Sequence, residues 1–241
     1  MPEEPDVREE SSRKTEGAQA ISPLLRRNAV FLIAVLGLFA LGLTLSILAA
    51  RSARFPGDER LAILVRSIDL PYFDGLMRLV TDLGYLTPVL VLTAFAVGVL
   101  WLCRRRLEAT FVLLSLSGQV VVVIVKVLVH RPRPPFDLLR GVPPAITASF
   151  PSGHVVHFVV FFGFLMYVAH ATVEQRWVRL TIYAVGGALI VLVGISRVYL
   201  GAHWPSDVLG GYVVGCLWLL ILIRAYQVAR GLTHDPSPID Y

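Results

Sequence analysis

Stretches of about twenty residues with almost no charge recur along this chain, and nothing else limits its fold as strongly. They fall near 28–50, 84–103, 109–129, 153–172, 178–199 and 206–226. A bilayer core about 30 Å thick takes about 20 apolar residues per helix, and backbone in lipid must satisfy its own polar groups. The predicted fold class is therefore all-α, a polytopic membrane bundle of six transmembrane helices. Composition agrees, with 56% hydrophobic and only 16% charged residues, where a soluble domain carries about 25% charged. Disordered and nucleic-acid-binding classes are excluded. The net charge of +5 calls for no nucleic acid, because cytoplasmic loops of membrane proteins collect Lys and Arg.

Residues 1–27 mix six acids with Arg and Lys and read as a flexible cytoplasmic tail. Residues 28–226 read as the six-span domain, and 227–241 as a short cytoplasmic tail. If the spans alternate, Arg104–Arg106, Arg176, Arg179, Arg224 and Arg230 share the tail's side, which the positive-inside rule makes cytoplasmic. The 51–83 loop balances five Arg with five acids. Within it Leu61, Leu64, Val65 and Ile68 repeat at helical spacing and predict an interfacial amphipathic helix packed on the bundle. Gly211 and Gly215 make a small-xxx-small pair suited to close helix packing. Cys103 and Cys216 lie in apolar runs and offer neither a disulfide framework nor a thiolate metal site. Basic residues are Arg except for Lys14 and Lys126, a bias that points to a GC-rich bacterial genome.

Polar residues are scarce in the second half, yet they gather at span ends. The first group runs from Lys126 through His130, Arg131, Pro132 and Arg133 to Pro134. Lys126 sits about one turn inside its span, where an ammonium calls for a partner, and the prolines stop the helix. The second is Phe150-Pro151-Ser152-Gly153-His154, directly before an apolar run. A helix start offers free N–H groups and a positive dipole end; Ser152 suits the cap, and Gly153 lets an anion approach the backbone. The third runs from Ser196 and Arg197 to His203 and Asp207, with Pro205 fitting a first helical turn. A carboxylate bonded to one imidazole nitrogen fixes the tautomer and activates the other.

Two crossings separate the loop after span three from the loop after span five, so all three groups face one side, away from the cytoplasm. Three cations, two histidines, a carboxylate and a helix start converging there ask for an anion with tetrahedral oxygens, and phosphate fits best. His154, His157, His203 and Asp207 could be combined around zinc, but the three cations would repel it, so no metal and no cofactor is assigned. His157 reads as a polar residue lining the bundle, and His130, His170 and His234 as interfacial or tail residues.

Taken together, Lys126-x6-Arg133-Pro134, Pro151-Ser152-Gly153-His154 and Ser196-Arg197-x5-His203-x3-Asp207 resemble the tripartite signature of the type 2 phosphatidic acid phosphatase superfamily. The resemblance implies metal-independent hydrolysis of a membrane phosphoester. It makes His203 the nucleophile that becomes phosphohistidine, with Asp207 orienting it and His154 protonating the leaving oxygen. Lys126, Arg133, Arg197, Ser152 and the Gly153 N–H would hold the phosphate oxygens. A neutral His203 beside a protonated His154 sets the expected optimum near neutral or mildly acidic pH.

The expected substrate is a lipid phosphate or polyprenyl diphosphate presented from the bilayer, with an outward site and bacterial origin favouring undecaprenyl diphosphate. Phosphatidic acid and phosphatidylglycerol phosphate are the alternatives, as is a phosphotransferase passing the phosphoryl group to a second lipid. From a different class, an anion or lipid transporter could use the same cations as a pathway; the His203–Asp207 pair argues against it. The haloperoxidases that share the signature are soluble, unlike this chain. The expected location is a bacterial cytoplasmic membrane, with both termini cytoplasmic and the site outside.

Overall fold

The computed structural model describes residues 7–135, 139–140 and 147–233, with side chains from Asn28 onward. The described residues form helices and connections only. In chain order the helices are α1 (Val7–Arg51), α2 (Asp58–Arg66), α3 (Phe73–Asp82), α4 (Leu86–Leu102), α5 (Arg106–Leu114), α6 (Gly118–Val129), α7 (Gly153–Thr172), α8 (Arg176–Tyr199) and α9 (Pro205–Thr233). Among the described residues, five stretches are long and apolar enough to span a bilayer: Asn28–Arg51, Arg106–Val129, Gly153–Thr172, Arg176–Tyr199 and Pro205–Leu232. The chain is a multi-pass membrane protein.

The expected second span is the exception. Its helix, α4, has 17 residues and so reaches about 25 Å, short of the hydrocarbon core. It joins α3 through a bend of 68°, and only the two together complete a sixth span. The interfacial helix also differs from expectation. α2 ends at Arg66, so Ile68 lies outside it, and a second short helix, α3, follows. α2 turns Asp58, Ala62 and Val65 toward the bundle while Leu61 and Leu64 stay exposed. The reason is that the buried Asp58 carboxylate anchors the first turn (below), and the small Ala62 allows close approach.

At the ends, α1 is helical from Val7, where a flexible tail was expected. Glu, Arg, Lys, Gln and Ala are good helix formers and extend a helix already nucleated by the span. Likewise α9 continues to Thr233, with Arg230 in its last turn favourable to the dipole. Residues 234–241, including His234, lie outside the described residues.

α7 is the axis of the bundle. Val155, Val156, Phe158, Val160 and Phe164 are fully buried around its circumference, as expected of a helix apolar on every face. It packs on α8 and α9, and α9 in turn supports α1. The α7–α9 approach is close because of glycine. A Cβ on Gly211 would lie 2.9 Å from Val155 Cβ and 3.0 Å from the Ser152 carbonyl oxygen, and one on Gly215 would lie 2.9 Å from Val159 Cβ. This seam fixes the start of α9 against the start of α7. The Arg-rich ends meet at the opposite pole, where Tyr226 donates to the buried Glu108 at 3.0 Å and Arg224 to Asn28 at 3.2 Å.

Candidate active site

At one pole of the bundle the end of α6, the start of α7, the end of α8 and the start of α9 converge, bringing all three sequence groups together. His130 closes α6 in the left-handed region, φ 51°, and turns the chain into Arg131–Pro134. Lys126 donates from Nζ to the Ala148 carbonyl, and to that of Ser149 at 3.3 Å. The partner its position demands is therefore main-chain oxygen rather than a carboxylate. Arg133 donates from Nε to Thr147 O at 2.9 Å and from Nη1 to Ala202 O at 2.8 Å. The same Nη1 lies 3.3 Å from His203 Nε2. Buried Arg197 donates from Nη1 to Thr81 Oγ1 at 3.1 Å.

α9 opens at Pro205 with Asp207 in its first turn, as the sequence predicts. Asp207 is fully buried. Its main-chain oxygen accepts the Ser152 N–H at 3.1 Å, which ties the second and third groups to each other. The expected direct bond from His203 is not formed. His203 Nδ1 stands 3.5 Å from Asp207 Oδ2, an electrostatic contact too long for a strong hydrogen bond. The carboxylate is already occupied. Oδ1 accepts from Arg131 Nη1 at 2.6 Å, while Oδ2 accepts from Ser149 Oγ and from the Trp204 N–H at 2.9 Å. Ser149 Oγ also lies 3.5 Å from His203 Nδ1, so the hydroxyl sits beside both side chains.

His203 itself is buried, and this burial, reinforced by Arg133, Arg197 and Lys126, holds its imidazole pKa well below the ordinary value. The ring is thus neutral at pH 7. Nδ1 faces oxygen atoms of Ser149 and Asp207, which favours the proton there, and leaves the Nε2 lone pair toward Arg133.

Ser152 takes the extended cap backbone, φ −70° and ψ 111°, but its side chain makes no cap bond. Its hydroxyl is buried without a protein partner, and so are His154 Nε2 and Arg197 Nε. Buried polar atoms are nearly always paired in folded proteins; His157 Nδ1, Thr93 Oγ1 and Trp204 Nε1 are unpaired as well, but Ser152, His154 and Arg197 are the three such residues among the site candidates of the sequence groups gathered here. Gly153 opens α7, and its N–H is among those a helix start leaves without an intrahelical partner. His154 is confined by the α3–α4 bend. A Cβ on Gly84 would lie 2.2 Å from its Cδ2, and the Tyr85 ring meets it edge-on with centroids 5.3 Å apart.

His157 turns away and stacks on Phe161 at 5.4 Å. Among the described residues no three His, Cys, Asp or Glu side chains are grouped to hold a metal ion. Ser149, Arg131, Asp58, Thr81, Gly84 and Tyr85 also surround this pole, although none of them is among the site candidates the sequence offers. Arg131 and Ser149 sit inside or beside the recognised groups and could have been suspected. The others lie in the 51–85 region, where no local pattern distinguishes them.

Residues 107–230 match the PAP2 superfamily. Phosphatidylglycerophosphatase B of Bacillus subtilis (strain 168) is 30% identical over 175 residues, covering 70% of this chain and 81% of that protein. Undecaprenyl-diphosphatase BcrC of the same organism is 26% identical over 163 residues, covering 65% of this chain and 77% of that one. Among solved structures, the crystal structure of a transmembrane PAP2 type phosphatidylglycerolphosphate phosphatase from Bacillus subtilis superposes with a TM-score of 0.72 at 26% identity. That likeness covers 81% of this chain and 97% of the other.

Proposed function

Because the chain belongs to the PAP2 superfamily, we propose that its polar pole hydrolyses a lipid phosphate or diphosphate through a phosphohistidine on His203. The observation that carries this reading is the unlike surroundings of the two His203 nitrogens. Nδ1 faces Ser149 and Asp207, and Nε2 faces the cation Arg133 at 3.3 Å. A phosphoryl group held by Arg133 would therefore meet the lone pair of a neutral, oriented imidazole.

In the first step Nε2 bonds to phosphorus as the bond to the lipid oxygen breaks, and His154 gives its proton to that oxygen. In the second, water attacks phosphorus, His154 takes the water's proton, the P–N bond breaks and phosphate leaves with His203 restored. Lys126, Arg133, Arg197, Ser152 Oγ and the Gly153 N–H hold the equatorial oxygens throughout. A well-placed donor of this kind stabilises the transition state by about 3–4 kcal/mol, and general acid–base transfer adds about 10²–10⁴-fold. The cations already gathered supply the charge a metal would otherwise bring, so no metal enters the scheme.

The substrate carries a lipid tail and stays in the bilayer, since the pole lies at the ends of spanning helices. The relatives' names support two headgroups, undecaprenyl diphosphate and phosphatidylglycerol phosphate, with phosphatidic acid the simplest member of the class. The excess of Arg at the opposite pole supports a site facing out of a bacterial cytoplasmic membrane. Purified protein in detergent with excess EDTA should release inorganic phosphate from at least one of these lipids, and His203→Ala should not. Equal release by His203→Ala would refute the nucleophile. Transfer of label to a second lipid without free phosphate would make the protein a phosphotransferase, and movement of intact lipid without either would make it a transporter.

A further inference from the structure

Behind Asp207 lies a buried ionic assembly that the phosphate chemistry leaves unexplained. Arg131 donates from Nη1 to Asp207 Oδ1 at 2.6 Å and from Nη2 to Asp58 Oδ2 at 2.9 Å, with side-chain exposures of 0%, 0% and 3% for Arg131, Asp207 and Asp58. Asp58 also accepts the Ser206 N–H at 2.9 Å, the Ser206 hydroxyl at 2.6 Å and the Phe55 N–H at 2.7 Å. Arg131 completes its set on Ser206 Oγ at 2.8 Å and Ala53 O at 3.3 Å, and its guanidinium covers the Phe55 ring at 4.6 Å. One carboxylate would suffice to neutralise Arg131. Burying a second is costly, and it comes from α2, a helix outside every recognised motif.

The charge count gives the second carboxylate a use. One guanidinium between two carboxylates leaves one net negative charge next to His203. When Nε2 bonds to phosphorus the ring becomes cationic, and that residual charge offsets it without desolvating anything new. We propose that Asp58 and Arg131 are positioning residues for the reaction. Arg131 aims Asp207 and keeps it ionised, and Asp58, by sharing Arg131, keeps Asp207 from being fully neutralised. The inference rests on His203 as nucleophile. The charged and titratable groups around His203 are Arg133, Lys126, Arg197 and His154 on the phosphate side, and Asp207 with Arg131 and Asp58 behind it.

The test is kcat and KM against pH for the full-length protein carrying Asp58→Asn, Asp58→Glu, Arg131→Lys, Glu59→Gln or His203→Ala, each with its melting temperature. Asp58→Asn should lower plateau kcat about tenfold or more with KM within about twofold, the signature of an interaction made in the transition state. Its acidic limb should move to lower pH, since less negative charge near His203 makes the ring harder to protonate. Asp58→Glu should recover part of the rate. Arg131→Lys, whose ammonium cannot bridge both carboxylates, should also lose kcat rather than KM. Glu59→Gln, on the exposed Arg54 pair one residue along, should behave as wild type. An unchanged kcat in Asp58→Asn, or a loss that follows only the folded fraction with an unmoved pH profile, would overturn the proposal. Activity surviving in His203→Ala would instead overturn the nucleophile on which it rests.

Discussion

At the scale of residues, the site spends its hydrogen bonds unevenly. Asp207, Lys126 and Arg133 are held by several protein partners each, whereas Ser152 Oγ, His154 Nε2 and Arg197 Nε have none. Ser152→Ala should therefore lower kcat about 10²-fold while leaving the melting temperature unchanged, because the hydroxyl bonds nothing in the free protein. A matching loss of stability would show that Ser152 serves the fold instead. The pH dependence follows from His203. Its depressed folded pKa keeps the nucleophile neutral well below 6.5, so the limb of kcat/KM set by this group should lie below that value. The stability linkage has the same sign. The unfolded chain takes up this proton first as pH falls, so the contribution of His203 to stability is complete above 6.5 and declines below it. A pH titration of melting temperature alongside the rate checks both.

At the scale of elements, the site depends on a glycine seam and on a bend. Gly211→Val should push α9 from α7 by colliding with Val155 and the Ser152 carbonyl, costing about 1–3 kcal/mol and separating Asp207 from Ser152. Gly84→Ala at the α3–α4 bend should displace His154 and lower kcat with little change in lipid binding; wild-type turnover would show that the ring has room to move. Much of this level is legible in the sequence. Pro205, Asp207 in the first turn and the Gly211–Gly215 pair are local signals, and each sits where its spacing implies. The α3–α4 bend is only half legible: Asp82 and Gly84 mark where the apolar run begins, but Asp74, Arg78 and Asp82 hide that the helix before it joins the one after it. The facing of α2 is also hidden, since a partner 73 residues along the chain, Arg131, decides it. For the same reason the reading of Asp207 bonded directly to His203 misses Ser149 and Arg131. Residue spacing reports which groups meet but not which of them reaches the carboxylate first.

At the scale of the whole molecule, alternation of spans places the polar pole and the Arg-rich pole on opposite faces of the bilayer. Cys103, exposed beside Arg104, is a natural reporter of the Arg-rich face, and Tyr72→Cys, at a position 93% exposed between α2 and α3, reports the other. In right-side-out vesicles a membrane-impermeant maleimide should label the residue-72 thiol and spare Cys103. The reverse pattern would turn the protein over and move its substrate pool to the cytoplasmic leaflet.

The central claim is that the lipid's phosphoryl group passes through His203, and trapping it is the most direct measurement. Purified protein mixed with 32P-labelled lipid phosphate and quenched in alkali should yield labelled protein, with the label on the peptide that contains His203, lost in acid and absent from His203→Ala. Rapid phosphate release with no protein-bound label at any quench time, or label that persists in His203→Ala, would contradict the account.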